Sequence, residues 1–144
     1  MTDWLMAHDG ARVRHAARGA ADADFGVVAE WSVRLDGVDA GRFRASLARQ
    51  VRQDLWRALA RVRGFSPVVE VSTSAPEGGA ALLEVTAGGA LRAGGRVTDG
   101  LAGRVSGLIG DEARRARWVR HALRRARGPA KSAATISQKE TASC

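Results

Sequence analysis

The chain has 144 residues and a formal net charge of +8, which is the size of one compact domain with short extensions. Its one cysteine, Cys144, excludes an internal disulfide framework and a zinc site built from several cysteines of one chain. No segment has the apolar length of a membrane-crossing helix or the pattern of a signal peptide, so the sequence predicts a soluble, cytoplasmic protein.

The first part of the sequence shows little periodicity. Residues 3–17 have a weak helical pattern with Asp3 as a candidate N-cap, and Gly10 weakens it, so we predict a short or frayed helix. Residues 18–26 combine small and acidic side chains without a period, which is typical of a linker. The sequence therefore predicts that residues 1–24 form a weak helix and a linker outside the domain.

A clear strand pattern follows in residues 27–37. Apolar side chains alternate with polar ones, and the alternation predicts a half-buried strand that ends at the turn Asp36-Gly37. One face of this strand carries Val27, Ala29, Trp31, Val33 and Leu35.

A long amphipathic helix is predicted from Asp39 to Arg63. Asp39 is a suitable N-cap, Gly64 stands where a C-cap glycine is favoured, and Pro67 prevents continuation. The apolar stripe has mostly four-residue spacing. It consists of Phe43, Leu47, Val51, Leu55, Leu59 and Val62.

Residues 67–89 predict a β-hairpin with its turn near Pro76 and Gly78-Gly79, followed by a glycine-rich connector at 88–95. The favoured register places Val69 opposite Val85, and therefore Glu70 opposite Glu84. Two adjacent carboxylates are a candidate acid and base, because repulsion raises the pKa of one of them. The alternative is an ordinary surface cluster neutralised by Arg34.

The helical period returns between about 98 and 127. Gly110 followed by Asp111 and Glu112 predicts a break and a second helix start, since acidic residues favour a first helical turn. The composition then changes in residues 128–144, which contain both lysines and no arginine. We predict that this C-terminal tail is disordered.

The order strand, helix, hairpin, helices predicts a small α+β domain over residues 25–127, with a three-stranded sheet and helices packed on one face. If the first strand and a hairpin strand are neighbours, the helical crossover makes them parallel. Such a sheet leaves one face and its edges open, so self-association through them is an expectation.

The last predicted helix carries an arginine row opposite a stripe of Ala116, Val119 and Leu123. On one interpretation this row follows the phosphates of a nucleic acid; on the other it is the solvated side of a core helix. Twenty-one of the 23 basic residues are arginine, and coding bias toward arginine would also produce this excess. The candidate anion-binding residues are Arg114, Arg117, Arg120, Arg124 and Arg127.

Motifs for catalysis, cofactor binding or metal binding are absent from the sequence: GxGxxG, the P-loop, HExxH and GxSxG do not occur. The expectation is a non-enzymatic basic module without a cofactor, whose partner is nucleic acid. The alternative partner is an acidic protein surface, to which the chain docks as an accessory subunit of a larger assembly.

Overall fold

A computed structural model describes residues 3–18, 22–92 and 95–141, with side chains as far as Arg127. The described residues form an α+β fold whose strands belong to one sheet. The strands are β1 (Trp4–Asp9), β2 (Arg12–Ala17), β3 (Phe25–Arg34), β4 (Phe65–Thr73) and β5 (Ala80–Leu91). The helices are α1 (Ala40–Leu59), α2 (Asp99–Gly110) and α3 (Glu112–Thr141).

The sheet has five strands in the order β1-β2-β4-β5-β3, and each neighbouring pair is antiparallel. The prediction of an α+β class is confirmed, and the prediction of three strands is wrong. Strands β3 and β4 run in the same direction, as a helical crossover requires, but β5 lies between them. The expected parallel pairing is therefore replaced by two antiparallel ladders.

The two additional strands come from the N-terminal segment, where the sequence pattern predicted a frayed helix. Strands β1 and β2 form a hairpin that turns at Gly10, whose φ is +60°. In β2, Val13 and His15 are buried and Arg12, next to the hairpin turn, is exposed. This segment therefore has a strand's two-residue period. The boundary at residue 25 is wrong as well, because β2 pairs with β4 inside the sheet.

The two faces of the sheet differ in composition. Helices α1 and α2 pack against one face, where the side chains are apolar and mostly buried, and the opposite face carries polar and charged side chains. One row across the helix-covered face consists of Val13, Val71, Val85 and Ala29. The neighbouring row on the opposite face consists of Arg14, Glu70, Thr86 and Val28.

Helix α1 follows its sequence pattern closely. Asp39 is the N-cap, and its Oδ1 accepts a hydrogen bond from the Arg42 amide at 3.1 Å. Val51 and Leu55 are fully buried between the helix and the sheet. The helix ends at Leu59 rather than at Arg63, and Gly64 takes a φ of +73° in the turn that follows.

The hairpin of β4 and β5 forms, but its register differs by two residues from the predicted one. Val69 lies opposite Ala87 and Glu70 opposite Thr86, because β5 continues through Gly88 and Gly89 into the predicted connector. Glu84 lies opposite Glu30 of β3 instead.

The predicted break between the last two helices is confirmed at Asp111, and α3 begins at Glu112. Trp118 of α3 is fully buried, whereas Val119 and Leu123 of the predicted apolar stripe are only partly buried. Helix α3 continues to Thr141, into the segment for which the sequence predicts disorder, and residues 142–144 lie outside the described part of the chain.

Candidate functional site

Helix α3 packs antiparallel on α1. Gln50 of α1 contacts Trp118 and His121 of α3. Asp54, one turn later in α1, contacts Trp118 and Arg117, so the contacts move backward along α3 as they move forward along α1. The buried contact side of α3 is formed by side chains spaced four apart, which is the spacing of one helical face. They are Trp118, Ala122 and Ala126.

One end of this junction is organised around Asp54, whose side chain is 12% exposed. Its Oδ2 accepts a hydrogen bond from Trp118 Nε1 at 2.8 Å and forms an ion pair with Arg117. Arg57 lies at 3.8 Å and Arg114 at 4.0 Å from its carboxylate oxygens. A carboxylate this shielded from water requires such partners, so the cluster both fastens α3 to α1 and gathers cations at the surface.

The middle of the junction is polar without a net charge. Gln50 Nε2 donates to the carbonyl oxygen of Trp118 at 3.3 Å and lies 2.9 Å from His121 Nδ1. These contacts hold His121 in the junction between the two helices.

The other end of the junction is a shallow cleft of about 180 Å³ lined by Arg42, Ser46, Arg49 and Arg125. Arg42 forms a 3.7 Å ion pair with Asp39. Arg49 and Arg125 are exposed and make no ion pair with any described residue. Two helices therefore contribute unneutralised guanidinium groups to one cleft.

These two ends lie on the same side of the junction because of helical spacing. Positions 42, 49 and 57 are seven and eight residues apart in α1, and positions 114, 117, 121 and 125 are three or four apart in α3. We call this strip of surface the seam. It is lined by six arginines, Arg42, Arg49, Arg57, Arg114, Arg117 and Arg125.

The charge of the seam remains positive after its internal ion pairs are counted. Three carboxylates, Asp39, Asp54 and Asp111, form ion pairs with four of the six arginines, which leaves a net charge of +3. The seam extends along α1 from Arg42 to Arg57, which are 15 positions apart, or about 22 Å at 1.5 Å per residue.

The opposite flank of α3 has a different character. Ala116, Val119 and Leu123 form an apolar floor there, bordered by Arg120, Arg124 and Arg127, around a depression of about 520 Å³. A second depression, of about 390 Å³, adjoins it between α3 and β3 and is lined by Trp31 and Val33. We call the two depressions together the groove, since they share Ala116 and Val119.

The five arginines predicted from the sequence are therefore divided between two surfaces. Arg114 and Arg117 lie in the seam and bond to aspartates, whereas the other three border the groove and form no ion pair with a described residue. Arg42, Arg49 and Arg125 were not among the arginines predicted to bind anions. Arg42 and Arg49 are seven residues apart in α1, which is visible in the sequence, but only the packing of the helices shows that they meet Arg125 of α3.

The predicted carboxylate pair is not formed. Glu70 and Glu84 are two positions apart in the ladder, and Arg12 rather than Arg34 pairs with Glu70, at 3.0 Å. Arg34 bonds to Asp36 at 3.0 Å. Glu84 lies opposite Glu30 of β3 rather than opposite Glu70, so the predicted pair of Glu70 and Glu84 is not available for acid and base catalysis.

His15 is buried in β2. Its Nδ1 lies 3.0 Å from the carbonyl oxygen of Leu5, and Arg52 Nε donates to its Nε2 at 3.2 Å, which requires a neutral ring. Burial, together with the charges of Arg52 and Arg49, lowers the pKa of His15 below its usual 6.5.

Searches for related proteins give no match to the chain among protein-family models, curated proteins or solved structures. Within the described ranges, no helix is both long and apolar enough to cross a membrane. The same residues contain no group of three His, Cys, Asp or Glu side chains positioned to hold a metal ion. Function must therefore be argued from the two surfaces themselves.

Proposed function

We propose that this protein is a non-enzymatic basic module that binds nucleic acid by its phosphate backbone, through the seam. The observation that carries the proposal is the packing of α3 on α1, which brings arginines of both helices to one strip with a net charge of +3. Guanidinium groups suit this partner because they donate two parallel hydrogen bonds to a phosphate.

The dimensions of the seam favour a polymer over a small anion. A strip of about 22 Å lies alongside roughly six base pairs of a duplex, at 3.4 Å of axial rise each. The cleft at one end holds about 180 Å³ and is open at the surface, so a single small anion would occupy only part of the charged strip. A backbone of repeating charges would contact its whole length.

The composition of the seam favours recognition of backbone rather than of bases. Modules that read single strands stack bases on exposed aromatic rings. Trp118, the aromatic residue between the two helices, is fully buried, and Trp56, exposed on α1, packs edge-on against Trp4. We therefore expect binding that depends weakly on sequence and strongly on salt.

The test is binding of nuclease-treated protein to labelled duplexes of DNA and of RNA, with two unrelated sequences of each. At about 50 mM salt we expect binding to every duplex, with affinities for the two sequences of each polymer within about threefold, and a steep loss by about 200 mM. Failure to bind any duplex at the lower salt would refute the proposal. A large preference for one sequence would refute recognition of the backbone alone.

A further inference from the structure

We infer that the groove between α3 and β3 is a docking site for an acidic amphipathic helix of a protein partner. This site is distinct from the seam, because the two surfaces share no lining residue and the apolar floor lies on the side of α3 opposite the seam. The proposal combines an apolar floor, unneutralised arginines at its border, and the spacing of those arginines.

The floor consists of apolar side chains that the fold leaves partly uncovered. Trp31, Val119 and Leu123 pack against the core but are only partly buried, whereas the fully buried stripe of α3 faces α1. Arg115 holds one end of the floor in place, since its Nε donates to the Ile109 carbonyl oxygen at 2.6 Å and its guanidinium lies 4.3 Å from the centre of the Trp31 ring. The floor is therefore ordered before any partner arrives.

The arginines that border the groove indicate that its partner is acidic. Arg120, Arg124 and Arg127 are exposed and have no acidic partner among the described residues, whereas Arg114 and Arg117, which line the seam, form ion pairs with Asp54. Apolar contact beside three free guanidinium groups is complementary to a segment with one apolar and one acidic side.

The shape of the groove gives the conformation of the occupant. The floor residues are three and four positions apart on α3, and the three arginines have the same spacing. The groove follows α3 from Glu112 to Arg127, which are 15 positions or about 22 Å apart, the length of about four turns of a second helix lying alongside. A partner helix with acidic residues at the same intervals would meet all three arginines while its apolar stripe covers the floor.

A second copy of this chain does not supply that helix. Helices α1 and α2 each contain one acidic residue, Asp54 and Asp99, and Asp54 is already engaged in the seam. Helix α3 contains Glu112 and Glu140, 28 positions apart, among many arginines. None of the helices in the described part of the chain has an acidic side, so the occupant belongs to a different protein.

The probe is a labelled synthetic peptide of 18 residues, roughly five helical turns, with leucines at helical spacing on one side and glutamates beside them. We expect saturable binding to the whole protein. A peptide with the same composition in scrambled order is the control, and we expect it to bind at least about tenfold more weakly, because it keeps the charge but loses the apolar side.

Three variants locate the site. Arg120→Glu/Arg124→Glu/Arg127→Glu changes only exposed side chains and should weaken peptide binding by at least about tenfold. A second peptide with lysines in place of the glutamates should recover binding to this variant.

Leu123→Ser should weaken binding without a change of border charge. Arg42→Gln/Arg49→Gln/Arg125→Gln, in the seam, should leave peptide binding within about twofold of the unmodified protein.

Each other outcome overturns the inference. Equal binding of the scrambled peptide would show charge attraction without docking, and binding lost in the seam variant would place the peptide on the other flank. Absence of peptide binding up to about 1 mM, a Kd limit that corresponds to about 4 kcal/mol, would also overturn it. Binding of anionic vesicles or duplex DNA that needs the same three arginines, where the peptide fails, would identify a membrane surface or nucleic acid as the occupant.

Discussion

Trp118 donates its indole hydrogen to Asp54 at 2.8 Å, and this bond joins a fully buried side chain of α3 to the only acidic residue of α1. The same carboxylate forms ion pairs with Arg57, Arg114 and Arg117. One aspartate thus connects the hydrophobic core to the charged seam, and several predictions about stability and binding depend on it.

Asp54→Asn should lower the free energy of unfolding by about 1–3 kcal/mol, because the amide keeps a hydrogen-bond acceptor for Trp118 but loses the charge that the arginines face. Unfolding in urea, followed by tryptophan fluorescence, measures the change. Glu77→Gln, in the exposed turn between β4 and β5, is the control and should stay within about 0.5 kcal/mol. An unchanged midpoint for Asp54→Asn would contradict the role given to this cluster.

The same substitution should strengthen binding to duplex DNA. Removing one negative charge raises the net charge of the seam by one, and Arg57 and Arg117 are released toward the ligand. We expect affinity to rise several-fold at about 100 mM salt, measured under conditions where the variant is folded. Weaker binding by a folded variant would mean that the arginines need Asp54 to hold them in place.

His15 predicts a loss of stability in mild acid. Its pKa is lowered in the fold, so below about pH 6.5 the unfolded chain takes up a proton that the folded chain does not. The contribution to stability is complete above pH 6.5 and declines as pH falls toward the folded pKa, by about 1.4 kcal/mol per pH unit. Urea midpoints between about pH 7.5 and 5.5 should therefore fall more steeply for the unmodified protein than for His15→Gln.

His8→Gln is the matched control for this experiment, since His8 is exposed in the neighbouring strand β1. It should retain the pH dependence of the unmodified protein. Equal pH dependence in His15→Gln would show that other groups cause the decline.

Two glycines should respond to alanine in opposite directions. A Cβ at Gly88 would lie 2.0 Å from the carbonyl oxygen of Phe25, where both strands are fixed by the ladder, so Gly88→Ala should cost about 1–3 kcal/mol. A Cβ at Gly103 in α2 meets no atom within 4 Å, and Gly103→Ala should stabilise by about 0.5–1 kcal/mol. Thermal unfolding of the two variants gives the signs, and a stable Gly88→Ala would contradict the close pairing of β3 and β5.

The sequence predicted those elements whose signals are local. Helix α1 has a four-residue apolar period and Asp39 as its cap, and the break before α3 has its acidic start at Glu112. It did not predict the N-terminal hairpin, because the buried positions of β2 include His15 as well as Val13, and a histidine does not mark a buried position in a sequence. Such a strand is stabilised by its partners rather than by its own pattern.

The register of β4 and β5 also depends on contacts between strands that the sequence does not show. Gly88 and Gly89 indicate a connector when read along the chain, yet both lie inside the sheet, where neighbouring backbones come too close for a side chain. For the candidate site, the sequence predicted an arginine-rich helix but not which residues line the site. An arginine-rich α3 is visible in the sequence, but which arginines meet those of α1 is decided by the face that Trp118 buries.

The claim that the seam binds nucleic acid is tested most directly by the salt dependence of duplex DNA binding, measured for the unmodified protein and two triple variants. Removing three phosphate contacts in Arg42→Gln/Arg49→Gln/Arg125→Gln should make the slope of log K against log salt shallower by about 2–3. The control, Arg63→Gln/Arg92→Gln/Arg96→Gln, removes the same charge from exposed positions outside the helices and should leave the slope within about 1 of the unmodified protein. Equal changes of slope in the two variants would mean that the protein attracts DNA by its overall charge, and that the seam is not its binding site.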